Sequence, residues 1–362
     1  MKLNDFIATE KPWAYNFEFE CEDEKYKKLD TFTRYFIYKT QPDPPAFDLE
    51  NTAEFIKSNF GYHPVYDPDG SDQNAYYPIV IEIYKHLWSW NCPAEPEQRE
   101  YKYAEVDGDI FGECVFGPDT MNSVQSPLKE VDQEKYYSIY RTIHEYYNPD
   151  GNEININGLA DYIDWYHTLG NLVLVPAGFN EYRGKSETIK DFWDLSLDDL
   201  KKNGYNRPVK YYNYEKHRRI VRPVVFEERE FNKYINYFFL WDSVEYKDND
   251  YIVRSISHKN WDQDSFLPTF FVKTREIIER RGRFMTAMLI IEQNNPVLYK
   301  EIQEWIVAKN GNGELPFFDG MNDAVWKILE KFGEKIPENA KGILRKLEGI
   351  LTYGNDYGEG LI

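Results

Sequence analysis

An uninterrupted helical stretch over residues 268–295 constrains the fold of this 362-residue chain more than any other feature. Pro268 suits its first turn, where the missing N–H has no intrahelical partner and the fixed φ is already helical. The longest strongly apolar run of the chain, residues 284–291, lies inside this stretch. It is far shorter than the roughly 20 apolar residues that span a bilayer, so it predicts a helix buried in a protein core and no membrane association. Three shorter helices are expected at 297–309, 321–333 and 339–351, separated by Gly and Pro signals. Residues 232–244 read as a further helix, dense in aromatic side chains.

The N-terminal part has a different texture. Residues 16–20 alternate at strand period and 31–38 read as a second strand. The prolines of 41–45 require a loop, since they cannot donate to a ladder. A helix is expected at 51–60 and a turn at 67–70. The aspartates of that turn lack the downstream Glu of a calcium loop. Residues 77–90 have helical periodicity, with Ile79, Ile83, Leu87 and Trp90 on one face, and 134–147 read as an amphipathic helix. Between them, 93–127 are mostly loop, with a hairpin around 106–110. The expected class is therefore α+β, with short aromatic strands and loops N-terminal and a helix-rich C-terminal part. Three regions follow: an acidic α+β region at 1–160, a motif region at 161–267 and a helical region at 268–362. All three could form one compact domain.

Charge sharpens this division. The chain carries 43 basic and 62 acidic side chains, net −19. Residues 1–160 hold 14 basic and 30 acidic groups, net −16, and the remainder is close to balance. An acidic disordered chain would lack the 30 Tyr, 23 Phe and 9 Trp found here. The bulk charge also excludes a generic nucleic-acid coating protein, which needs a basic surface to displace counterions. Only Cys21, Cys92 and Cys114 are present, with no CxxC pair, and the first twenty residues do not read as a secretory signal. A reducing cytoplasm is the expected setting, and each Cys is expected to be a small buried hydrophobe.

Residues 161–203 carry the chemical hint. They contain His167-Thr168-Leu169-Gly170-Asn171, then Asn180-Glu181-Tyr182-Arg183-Gly184, then Asp191-Phe192-Trp193-Asp194-Leu195-Ser196-Leu197. Further on, Phe231 begins a stretch ending in Phe238-Phe239-Leu240-Trp241-Asp242. In this order the motifs resemble those of an uncharacterised bacterial domain-of-unknown-function family. The resemblance covers about 160–268 and implies a shared fold, with the first motif as a strand and the third as a helix start.

The same segment also resembles, more weakly, the latter half of HNH-type nucleases, including the C-terminal nuclease domains of modification-dependent restriction enzymes. There a Gly-Asn-Leu strand leads, nine residues after its Asn, to an Asn followed by a basic residue and Gly. Asn171 and Asn180 have this spacing here, with Arg183 and Gly184 following. The resemblance implies that Asn171 orients a water-activating imidazole. It further implies that Asn180, with Arg183 nearby, helps hold Mg²⁺ or Mn²⁺ against the scissile phosphate. The Asp-His or Glu-His pair that supplies the base in such nucleases is missing, leaving His167 or, further upstream, His144 as the candidate bases.

Each of these residues also has a structural explanation. Asn171 and Asn180 suit turns, Arg183 could pair with Asp191 or Asp194, and His167 follows three aromatic positions in five. Ser196 with Asp199 reads as a helix-capping pair.

A basic aromatic island follows. Residues 201–222 carry eight Lys or Arg and one Glu, net +7, interleaved with tyrosines. Lys201, Lys202, Arg207, Lys210, Arg218, Arg219 and Arg222 with Tyr211 and Tyr212 make a candidate nucleic-acid-binding set, pairing phosphate neutralisation with base stacking. Arg280, Arg281 and Arg283 could extend that face, partly neutralised by Glu276 and Glu279. The expected function is a metal-dependent HNH-like nuclease, or its degenerate, nucleic-acid-binding relative. The alternative is a non-catalytic interaction protein whose acidic N-terminal part binds a basic protein partner.

Overall fold

The computed structural model describes residues 2–15, 78–88, 104–106, 109–111, 165, 168–173, 193–204, 210–213, 218–221, 231–255, 266–309 and 311–348. Helices are α1 (Leu3–Ile7), α2 (Pro78–Trp88), α3 (Trp193–Asp199), α4 (Phe231–Tyr237), α5 (Phe266–Asn294), α6 (Pro296–Val307), α7 (Gly320–Phe332) and α8 (Glu338–Glu348). Three antiparallel hairpins pair β1 (Ala104–Val106) with β2 (Asp109–Phe111), β3 (Lys210–Asn213) with β4 (Arg218–Val221), and β5 (Val244–Lys247) with β6 (Asp250–Val253). The described residues are thus mostly helical with small antiparallel sheets, in keeping with an α+β class. The expected elements at 16–20, 31–38, 41–45, 51–60, 67–70 and 134–147 lie outside them.

Helix α5 is the axis of the described structure. It packs against α8, α6, α2 and the short turns Pro12–Ala14 and Leu169–Asn171. Phe284, Met285, Ala287, Met288, Leu289 and Ile291 are all fully buried, because a helix apolar around its whole circumference must be covered on every side. No helix among the described residues is long and apolar enough to cross a membrane. Asn295 then starts α6: its side chain accepts the Leu298 N–H at 3.1 Å, and Pro296 occupies the first turn. The Leu87 carbonyl near the end of α2 accepts from the Tyr299 hydroxyl at 2.5 Å and Gln303 Nε2 at 2.6 Å, which ties α2 to α6.

The aromatic density of the sequence is spent on one interlocked core. Trp88 meets Phe238 at 5.0 Å between ring centroids, Phe239 meets Phe284 at 5.0 Å, and Trp241 meets both Phe284 and Phe318 at 5.1 Å. All four contacts are edge-to-face, the arrangement that suits the ring quadrupoles.

Three local expectations need correction. The helix anticipated over 232–244 ends at Tyr237, followed by Phe239 at φ 58°, a short 3₁₀ turn at Trp241–Ser243 and the strand β5. Residues 238–241 are buried throughout, so their apolar run has no period by which a helix could be told from a turn. The strand anticipated at 167–171 is instead a 3₁₀ turn over Leu169–Asn171 flanked by single bridge positions at Thr168 and Leu172. Ser196 lies in the middle of α3 and is buried, so it caps nothing.

Candidate functional site

The first motif forms a locked turn. Thr168, Leu169, Asn171, Leu172 and Val173 are all fully buried. The Asn171 N–H donates to the Thr168 carbonyl at 3.0 Å, and the Thr168 hydroxyl donates to the Trp165 carbonyl at 2.6 Å. Gly170 is required by close backbone approach: a Cβ there would fall 1.8 Å from the Ile278 carbonyl oxygen on α5. Gly282 faces it from the helix, where a Cβ would stand 3.2 Å from the Gly170 nitrogen.

Arg281 fastens this turn to the rest of the core. Its Nη1 donates to the Gly170 and Leu172 carbonyls, each at 2.7 Å, and its Nε donates to the Phe238 carbonyl at 2.9 Å. Trp88 covers the guanidinium at 5.9 Å and donates its own Nε1–H to the Tyr237 carbonyl at 3.1 Å. The carbonyls ending α4 therefore receive a cation and an indole, complementing the negative end of the helix. Burial pushes the Arg281 guanidinium down to about 10, against the pull of the nearby Tyr84 and Tyr234, so it stays charged at neutral pH.

Asp242, the last residue of the aromatic motif, makes a second junction. Its Oδ2 accepts from Arg280 Nε at 2.6 Å, and its Oδ1 accepts the Met321 N–H at 2.8 Å. The carboxylate thus sits at the positive end of α7, while Arg280 Nη2 donates to Asn322 Oδ1 at 2.7 Å. The sequence marked Asp242 only as the end of a motif and Arg281 only as part of a basic cluster, and neither junction was anticipated. An Asp closing a buried aromatic run was the available signal.

These contacts redirect the arginine cluster. Arg280 and Arg281 are buried, and Arg283 is held by Glu279 at 2.6 Å with its guanidinium 4.5 Å over Trp13. Glu279 also meets Arg275, which lies 5.0 Å over Trp165. The three arginines therefore brace α5 against its neighbours and do not extend a basic surface.

The basic island divides as well. Lys201 Nζ pairs with Asp250 at 2.6 Å and donates to the Tyr251 carbonyl, and Lys202 pairs with Asp198 at 2.5 Å. Both lysines thus have partners within the fold. Lys210, Tyr211 and Tyr212 belong to β3, and Arg218 and Arg219 to β4. The register opposes Lys210 to Val221, Tyr211 to Ile220, Tyr212 to Arg219 and Asn213 to Arg218. Sequence reasoning did not anticipate that Tyr212 and Arg219 would be cross-strand partners.

Of the nuclease-like residues, the structure places only Asn171. His167, His144, Asn180 and Arg183 lie outside the described residues, as do Arg207 and Arg222. Among the described residues no three His, Cys, Asp or Glu side chains converge to hold a metal. Comparisons with protein families, curated proteins and solved structures returned no match.

Proposed function

We propose that this chain is a nucleic-acid-binding protein built around an HNH-like motif. The observation that carries the reading is the β3–β4 ladder, which gathers Lys210, Arg218 and Arg219 with Tyr211 and Tyr212 into one short element of a chain of net charge −19. Cations with interleaved aromatic rings suit a phosphate backbone with accessible bases. The spacing of Asn171 and Asn180 extends the proposal to phosphodiester cleavage with Mg²⁺ or Mn²⁺, with His167 or His144 as base. Where that base is lost, the protein is a degenerate relative that binds without cutting. Incubating the full chain with single- and double-stranded DNA and RNA, with and without either metal, tests both levels. Metal-dependent cleavage that disappears in Asn180→Ala supports the nuclease. Cleavage unchanged in Asn180→Ala removes that assignment, and absence of both binding and cleavage removes the whole reading.

The net charge of −16 on residues 1–160 favours one other reading, in which this part binds a basic protein. Retention of a basic partner from the native host at low salt, lost at high salt, would support it.

A further inference from the structure

The described residues contain Asn-Gly at 203–204 and again at 312–313, and the fold treats the two pairs differently. Asn203 and Gly204 end a π-helical turn over Leu200–Gly204, so their backbone is held in helical torsions. Asn312 and Gly313 lie in the connection between α6, which ends at Val307, and α7, which starts at Gly320. They belong to no helix or strand, and Gly311, Asn312, Gly313 and Glu314 are all exposed. Gly313 has φ 79°, and a Cβ at Gly311 or Gly313 would meet nothing within 4 Å. The turn therefore has open space on both sides of Asn312, and no side chain stands beside the Gly313 nitrogen. The far end of the connection is held by the core. Asn236 Nδ2 donates to the Pro316 carbonyl at 2.8 Å, the Phe318 N–H donates to the Tyr251 hydroxyl at 2.8 Å, and Phe317 stacks on Tyr246 at 4.5 Å between ring centroids. Rearrangement at 312–313 can thus proceed without unpacking α7.

We infer that Asn312 is a site of spontaneous deamidation, a covalent modification that converts this turn into a more acidic, partly isoaspartyl one. Hydroxide removes the Gly313 amide proton, and the nitrogen attacks Asn312 Cγ. The N–Cγ bond forms, the Cγ–Nδ2 bond breaks, and Nδ2 leaves as ammonia with a proton from water, which restores the hydroxide. Water then opens the succinimide ring at either carbonyl. Opening at Cγ leaves aspartate, and opening at the main-chain carbonyl leaves isoaspartate, with the chain routed through Cγ. The net change is amide plus water to carboxylate plus ammonium. A glycine at 313 is what the step needs, because a side chain there would stand in the path of its own nitrogen. A helical ψ instead holds the next nitrogen away from the side-chain amide, which protects Asn203. The product lies in an exposed loop, where an inserted backbone bond is tolerated.

The test ages the full chain at neutral and at mildly alkaline pH and follows each Asn-Gly pair by peptide mapping with mass spectrometry. The peptide holding Asn312 is expected to gain the mass of an amide exchanged for a carboxyl and to split into aspartyl and isoaspartyl forms. Conversion should be faster at the alkaline pH, because the attacking nitrogen must first lose its proton. Asn203 should stay intact in the folded chain, whereas in urea both pairs should convert at similar rates, since unfolding removes the difference in backbone geometry. Gly313→Ala should slow conversion at Asn312 by roughly tenfold or more, a barrier higher by about 1.4 kcal/mol. Circular dichroism shows whether that variant folds. If it does not, Asn312→Gln, which lengthens the ring to be closed, takes its place and should lose the signal at 312. Asn312 left intact in the folded chain overturns the site, whatever it does in urea. Equal conversion of Asn203 and Asn312 in the folded chain overturns the role given to the fold, and conversion undiminished in Gly313→Ala overturns the attack by the Gly313 nitrogen.

Discussion

Arg281 and Gly170 meet through a 2.7 Å hydrogen bond from guanidinium Nη1 to main-chain carbonyl, and this contact ties the first sequence motif to the central helix. The same side chain also reaches Leu172 and Phe238. Hydrogen bonds to a charged group contribute about 1.5–3 kcal/mol each, and a buried carbonyl left without its donor is costly. Arg281→Met should therefore lower unfolding free energy by about 3 kcal/mol or more, read from urea denaturation. Arg281→Lys should rescue little, because one ammonium on a flexible stem cannot serve three carbonyls in a planar fork. Full stability in Arg281→Lys would show that charge alone holds the turn.

Gly170 and Gly282 look equivalent in sequence but not in space. Gly170→Ala drives a Cβ against a helix carbonyl at 1.8 Å and should cost about 3 kcal/mol or more, since backbone on both sides has to move. Gly282→Ala meets its nearest neighbours at 3.2–3.3 Å, and it gains about 1 kcal/mol of helix propensity in the middle of α5. The two terms nearly cancel, so thermal denaturation should separate the variants widely. Similar melting temperatures for both would contradict the backbone contact.

Asp242 and Arg280 are a mostly buried ion pair, with side chains 16% and 8% exposed. Asp242→Asn removes the charge that faces both Arg280 and the start of α7, and should destabilise by about 3 kcal/mol. A double-mutant cycle with Arg280→Met should return a coupling of about 1–3 kcal/mol. Additive effects would mean that the two side chains act separately.

Alkaline stability should report two tyrosines. Burial raises the Tyr251 and Tyr299 hydroxyls above their ordinary value of 10.0. Tyr251 donates to Asn236 Oδ1 at 2.8 Å, and Tyr299 donates to the Leu87 carbonyl, bonds that ionisation would break. A raised acid favours folding fully below the unfolded value, and this contribution is lost as pH rises past 10. Arg281 opposes them, because its folded value of about 10 lies below the ordinary 12.5 and losing its proton relieves a buried charge. Two tyrosines outweigh one arginine, so unfolding free energy should fall between about pH 9 and 11. Tyr299→Phe should flatten that fall. A slope unchanged in Tyr299→Phe would place the titration elsewhere.

Much of the helical frame was legible in the chain. The stretches expected at 268–295, 297–309, 321–333 and 339–351 correspond to α5 to α8 within a few residues, and 77–90 corresponds to α2. The hairpin expected around 106–110 is β1–β2. Each carried a regular period or a turn signal. The hairpin β5–β6 was missed although its turn is marked: Asp248 and Asn249 sit at φ 53° and 62°, the left-handed pair that Asp and Asn tolerate in a two-residue turn. The aromatic residues just before it masked that signal with a helix-like density. At the candidate site, the sequence marked the 167–171 motif and the basic island, but neither the 3₁₀ turn that the motif forms nor the partners of Lys201.

By itself the sequence determined where the long helices α2 and α5 to α8 lie and where charge of each sign accumulates, because these depend on neighbours a few residues apart. Only the tertiary structure decided what the arginines of α5 do. The three carbonyls that Arg281 holds are 43, 111 and 109 positions away along the chain. Whether a cation faces phosphate or braces a core is set by those distant partners, which no local pattern encodes. Burial turned Arg280 and Arg281 inward, and Lys201 reaches Asp250 and the Tyr251 carbonyl across the fold, while Lys202 stays at the surface beside Asp198.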